Sequence, residues 1–209
     1  MEIAASITSG DLARLAQMAE AAEAGGADRI HIDIEDGVFV PTFTVGPGVV
    51  AAIRQVTRLP LEVHLQTMAP GRWIATIAAP RPDRIIVHPE GAGDFPALLR
   101  SIVAAGSAAG LALLLATPVE AALPWMGQVE HVTLMATPPE GGDFHAEVLD
   151  KARALRAVVP DIEVDGGVTP AIVGAGAAAG VTTVVAGRAI FGRGVAHIAS
   201  GIAALRGGR

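Results

Sequence analysis

Hydrophobic positions along the chain switch repeatedly between a period of two residues and a period of three to four. Ile3 to Ser6 is a short apolar run, and Arg29 to Asp33 alternates Ile30 and Ile32 with His31 and Asp33. Leu61 to Leu65 (LEVHL), Arg84 to His88 (RIIVH), His131 to Met135 (HVTLM), Ile162 to Asp165 (IEVD) and Thr183 to Ala186 (TVVA) also read as strands. Leu111 to Leu115 (LALLL) is a continuous apolar run of the kind buried on both faces. Helical stripes fill the intervals. Leu12, Leu15, Met18 and Ala19 follow a cap at Ser9-Gly10-Asp11, and further helices are predicted over 49–56, 70–78, 95–105, 117–123, 146–158, 170–178 and 194–205. Alternating units predict a parallel sheet. Eight of them predict a closed (β/α)8 TIM barrel, as a single domain over 1–209. An open doubly wound sheet is the alternative, but it usually has fewer strands, and no GxGxxG fingerprint follows the first strand.

Composition sharpens this picture. The chain has 209 residues, 51% of them hydrophobic, enough for one substantial core. Its net charge of -6, without a basic cluster, argues against nucleic-acid binding. There is no cysteine, so disulfides, thiolate nucleophiles and cysteine–zinc sites are excluded, and a reducing compartment fits. The most apolar stretch, Gly110 to Leu115, is too short to span a bilayer, and residues 1–15 lack the pattern of a targeting segment. A soluble cytoplasmic protein with no membrane partner is expected. Alanine-rich outer helices predict a homo-oligomer.

The polar residues fall where a barrel keeps its chemistry, at the carboxyl ends of the strands. His31 and Asp33 share one strand face, as do Glu62 and His64. His88 closes the fourth strand and Asp165 the seventh. An imidazole beside a carboxylate is costly in a packed core unless paired or metal-bound, although a strand with one solvated polar face is the simpler reading of His31 and Asp33 alone. His31, Asp33, His64 and Asp165 together have the donor types for one divalent metal: Zn, Fe(II), Mn or Co. His88 reads equally as a hydrogen-bonded structural residue. Gly141-Gly142, Gly166-Gly167 and Gly187 follow the sixth, seventh and eighth strands. Backbone N–H groups at such turns can cradle a phosphate, or the glycines can simply make tight turns.

These segments carry a resemblance. HIDIEDGVFVPTFTVGP at 31–47, EVHL at 62–65, VHPE at 87–90, ATP at 116–118, EVLDKARALR at 147–156, IEVDGGVTP at 162–170 and VAGRAIF at 185–191 lie in family order. With IAASI at 3–7 they make the chain resemble the ribulose-phosphate 3-epimerases over nearly its whole length. The resemblance implies one divalent metal on His31, Asp33, His64 and Asp165. It implies that Asp33 and Asp165 act as acid and base in inverting the carbon beside a ketone, with the metal as Lewis acid. It also implies that Ser6 lies near the sugar-phosphate substrate and His88 behind the ligands.

The departures cluster at the substrate. The family usually places methionines where Glu35 and Gln66 stand here, while Met135 keeps the third. The residue after the DG pair is often His and is Val38 here. The loop usually reading NPGFGGQ is the shorter PPEGGD at 138–143, with Glu140 and Asp143 added. Arg188 replaces a serine, and Leu114-Leu115 an Asn-Pro. Glu140 and Asp143 would repel a phosphate they faced, whereas Arg188 would attract one. Expected substrate contacts are therefore Ser6, His64, Glu35, Gln66, Met135, Gly141, Gly142, Gly166, Gly167, Gly187 and Arg188. The leading expectation is epimerisation of D-ribulose 5-phosphate to D-xylulose 5-phosphate. The same chemistry on another sugar phosphate, or a barrel that only binds one, are the alternatives.

Overall fold

The computed structural model describes residues 1–91 and 93–207. Eight parallel strands close into a barrel in sequence order: β1 Glu2–Ser6, β2 Arg29–Glu35, β3 Leu61–Gln66, β4 Arg84–Val87, β5 Ala108–Leu113, β6 His131–Met135, β7 Asp161–Asp165 and β8 Thr183–Ala186. Closure comes from β8 against β1, with Glu2 beside Thr183 and Ala5 beside Ala186. The outer helices are α1 Leu15–Ala24, α2 Gly48–Arg54, α3 Ile74–Ala78, α4 Phe95–Ala104, α5 Val148–Leu155, α6 Pro170–Ala179, α7 Arg188–Phe191 and α8 Ile198–Gly207. The main apolar core lies between strands and helices: Ile30, Ile32, Val63, Leu65, Leu134 and Val164 pack outward against residues such as Met18, Ile53 and Leu155. Alternation sends the other set, rich in His, Asp and Glu, into the barrel. No described helix is long and apolar enough to cross a membrane.

The TIM-barrel expectation holds, with local corrections. The fifth strand is Ala108–Leu113 rather than 111–115. Gly110 pairs with Ile86 on β4, and the backbone groups of Leu114 and Leu115 leave the ladder to bond the side chains of Glu90 and Lys151. A continuous apolar run carries no mark of where pairing stops. The helix expected over 117–123 is a 3-10 segment, Val119–Trp125, with Pro118 before it and Pro124 inside it. Proline removes donors that an α-helix needs. The fourth strand ends at Val87, leaving His88 just beyond it, because Pro89 follows and has no N–H to continue the ladder. The helices expected from Leu12, Pro70 and Gly194 begin with 3-10 turns and become α-helical only at Leu15, Ile74 and Ile198.

Register positions the site. Along β2 and β3, Asp33 lies beside His64 and Glu35 beside Gln66. Ser6 pairs with His31, and Asp165 sits between Met135 and Val185. One rim of the barrel thus gathers the polar ends of β1, β2, β3, β6 and β7.

Candidate active site

His31, Asp33, His64 and Asp165 converge, their ligand-type atoms all within 4.8 Å of one another. His31 Nε2 is 3.0 Å from Asp33 Oδ1 and 3.6 Å from Asp165 Oδ2. His64 Nδ1 is 3.2 Å and 3.5 Å from the same two oxygens. Both imidazoles are fully buried. His64 Nδ1 makes no hydrogen bond. A buried nitrogen aimed at two carboxylate oxygens, in a set of two imidazoles and two carboxylates, fits a divalent cation. The far side of His31 is fixed, with Nδ1 3.0 Å from Glu62 Oε1, the carboxylate backing that metal-binding histidines commonly have.

The two aspartates differ in their surroundings. Asp33 accepts from the hydroxyls of Ser6 at 2.7 Å and Thr8 at 3.1 Å, and from Gln66 Nε2 at 3.2 Å. Asp165 has only the two imidazoles near its carboxylate among the ion pairs of the described residues. Burial alone would raise Asp33, but the positive imidazoles of His31 and His64 outweigh it and hold the carboxyl well below its usual range. Burial likewise lowers His31, and the Asp33 carboxylate overrides it, so His31 sits well above its usual value. The Asp165 and Asp33 carboxylates facing Nδ1 push His64 up to about 9 against its burial. Two buried imidazoles thus face two carboxylates, and a divalent cation bound there would compete with protons for the same atoms.

The cluster forms the floor of a cavity of about 760 Å³. Ser6, Asp33, Glu35, Gln66, Met135, Gly141, Gly142, Asp165, Gly166, Gly167, Gly187 and Arg188 all line it. His31 and His64 are buried and do not line it. Glu35 and Gln66 pair, with Gln66 Nε2 3.4 Å from Glu35 Oε1. Burial, together with the charges of Asp33 and Asp165, raises the Glu35 carboxyl against the effect of a Thr42 hydrogen bond. Opposite them, Arg188 donates to the Gly142 carbonyl at 2.7 Å across the cavity mouth. Glu140 and Asp143 are exposed on the same loop. Gly167, at φ 64°, lets the turn after β7 touch the backbone of Phe144, and a side chain at Gly187 would strike Ser9. Gly166 faces the Thr137 side chain, and Gly141 and Gly142 face open space.

The profile of the Ribulose-phosphate 3 epimerase family matches residues 2–191. The chain belongs to the ribulose-phosphate 3-epimerase family. It is 38% identical over 199 residues to "Ribulose-phosphate 3-epimerase, cytoplasmic isoform" of Oryza sativa subsp. japonica, covering 91% of this chain and 87% of that one. With the ribulose-phosphate 3-epimerase of Bacillus subtilis it shares 37% over 202 residues, 92% of this chain and 93% of that one. Membership makes the chain a carbohydrate epimerase, of the isomerase class. The barrel also matches that of a 3-hexulose-6-phosphate synthase, with TM-score 0.77, 20% identity, and 100% and 99% of the two chains covered. A mutant tryptophan synthase α-subunit from Pyrococcus furiosus gives TM-score 0.75 at 15% identity, over 99% and 97%. These two likenesses concern the fold.

Sequence reasoning overlooked the layer below the cluster. Glu62 Oε2 is 3.1 Å from Arg29 Nη1 and 3.3 Å from Arg84 Nη1. Arg84 also reaches Asp161 at 2.8 Å, and His131 bridges Asp161 and Thr133 at 2.9 and 2.8 Å. Thr133 donates to Glu163 at 2.9 Å. The signal was present: Glu62, Thr133 and Glu163 each lie two residues before a rim residue, so alternation sends them inward too.

Proposed function

We propose that the chain interconverts D-ribulose 5-phosphate and D-xylulose 5-phosphate using Asp33 and Asp165 as its two proton carriers. The observation that carries this reading is the convergence of these carboxylates, from strands β2 and β7, on the same pair of imidazoles at the floor of the cavity. Family membership supports the substrate.

His31, Asp33, His64 and Asp165 would hold one divalent cation, whose identity among Zn, Fe(II), Mn and Co is open to this donor set. When bound, it supplies Lewis-acid stabilisation for charge developing on the substrate oxygens. The aspartate that begins ionised takes the proton from C3. The C–H electron pair moves into the adjoining carbon–carbon bond, and the carbonyl pair moves onto its oxygen, giving a planar enediolate. The other aspartate, which begins protonated, returns a proton to the opposite face of C3. The first is then protonated and the second ionised, as the reverse reaction requires. Ser6 and Thr8 hold Asp33 in place through its second oxygen. Met135 lends an apolar surface beside the reacting carbons, where water would compete for the proton.

For the phosphate end, the reading uses the turns at Gly166, Gly167 and Gly187, together with Arg188. One Arg188 nitrogen is engaged by the Gly142 carbonyl, and the remaining guanidinium donors are free for an anion. Gly141 and Gly142 then act as the loop that Arg188 holds across the mouth. A second reading keeps the chemistry and changes the sugar. It is favoured by the Glu35–Gln66 pair, which presents hydrogen-bonding groups where the family resemblance implies methionines.

The test is proton NMR of ribulose 5-phosphate and other ketose phosphates in D2O. Deuterium entering C3 of ribulose 5-phosphate, with xylulose 5-phosphate formed, is expected. Exchange in a longer ketose phosphate but not in ribulose 5-phosphate would favour the second reading, and exchange in none would overturn both. In the same assay Arg188→Ala raises KM about tenfold, the size of one lost charge-assisted contact, with kcat little changed.

A further inference from the structure

His88 and Glu90 stand behind the ligand set on the side away from Glu62. The His88 ring is buried between residues of the site: its centroid lies 5.0 Å from that of His64, stacked at 23°, and 4.8 Å from that of Phe39. Its Nε2 is 2.9 Å from His64 Nε2. Two facing ring nitrogens at that distance require one donor and one acceptor. His64 Nδ1 faces Asp33 and Asp165, and to hold the cation it must present a lone pair there, which puts the His64 proton on Nε2. His64 therefore donates and His88 Nε2 accepts, which leaves the His88 proton on Nδ1. That nitrogen is buried without a close hydrogen bond and faces Glu90 Oε2 at 3.5 Å.

The other Glu90 oxygen has a different task. Oε1 accepts from Leu114 N at 2.9 Å and from the Thr117 hydroxyl at 2.6 Å. Lys151 Nζ fastens the same loop, donating to the carbonyls of Leu114, Leu115 and Thr117 at 3.2, 2.6 and 2.6 Å. Leu114 lines the cavity.

We propose that Glu90 is a positioning residue for the metal ligand His64: it acts through His88 and ties the cavity-lining loop after β5 to the ligand set. The inference rests on the proposed ligand role of His31, Asp33, His64 and Asp165. A carboxylate facing His88 Nδ1 selects the tautomer that lets His88 accept from His64, and so fixes which His64 nitrogen is free for the cation.

Cobalt(II) affinity, measured by competition with a chelator, and the visible absorption of the cobalt form are compared in wild type, Glu90→Ala, Glu90→Gln and Thr117→Val. Wild type is expected to bind one Co(II) per chain. Glu90→Ala binds it about 10–100-fold more weakly with an altered spectrum, the cost usual for a partner behind a metal-bound histidine. Glu90→Gln, nearly the same shape, shows the same change to a smaller degree. Thr117→Val, which removes one of the two hydrogen bonds on Glu90 Oε1 and leaves Oε2 facing His88, keeps wild-type affinity and spectrum. Folded Glu90→Ala with unchanged affinity and spectrum overturns the proposal, and if that variant fails to fold, unchanged Glu90→Gln does so. An equal loss in Thr117→Val also overturns it, since the loop alone would then be responsible. A wild type that binds no Co(II) defeats the ligand reading itself, an outcome recognised before any variant is made.

Discussion

Asp165→Asn is expected to lower turnover of ribulose 5-phosphate by about 10³-fold or more, with the fold retained. An amide of the same size cannot carry the proton, and general acid–base groups commonly contribute 10²–10⁴. It is also a poorer ligand for the cation. The structural cost is small because Asp165 has no salt bridge in the described residues except to His31 and His64, and its carboxylate meets the cavity. Steady-state assay with circular dichroism separates the two effects. Turnover within tenfold of wild type, in protein loaded with metal, would remove Asp165 from the chemistry.

Glu62→Ala is expected to unfold the barrel more readily, by about 3–5 kcal/mol, the cost of breaking a buried ionic network from one side. Glu62 is 1% exposed and faces two guanidinium groups and the His31 ring. Burial would raise its pKa, and hydrogen bonding to His31 outweighs that, so it is held ionised well below the usual range. Removing it takes from Arg29 and Arg84 the carboxylate they share, leaving them Glu2 and Asp161 respectively, and loosens His31. For a domain of this size the melting temperature should fall by about 10 °C or more. Glu163→Gln makes the contrast. Burial and the neighbouring Glu62 charge raise Glu163 against the effect of His131, and its Oε2 is buried without a hydrogen-bond partner among the described residues. A neutral amide mimics the protonated form, so its melting temperature should stay within a few degrees of wild type. Equal losses in the two variants would mean that Glu163 is ionised as well.

Much of the barrel was legible because its signals are local. Alternation in RIHIDIE and IEVD announces strands and puts their polar residues on one face, and turn glycines mark where β7 and β8 end. The four-residue cluster was legible because strand ends in this architecture meet at one rim. The end of β5 was not, since Leu111 to Leu115 is apolar throughout, and pairing stops where Glu90 and Lys151, distant in sequence, capture the backbone. The His131–Thr133–Glu163 network escaped notice for a related reason. Its residues come from separate strands, and only register across β6 and β7 brings Thr133 beside Glu163. His64 was expected to touch substrate as well as metal. It lies two residues before the end of β3, with its ring buried beside Asp33 and Asp165.

The proposal that proton transfer by Asp33 and Asp165 depends on one divalent cation per chain is tested most directly by stripping the protein with a chelator and titrating metal back. Turnover of ribulose 5-phosphate is followed beside elemental analysis of each sample. Activity should fall in proportion to the metal removed and return in proportion as it is added back, levelling off at one equivalent. Full turnover in protein stripped of metal would contradict that dependence.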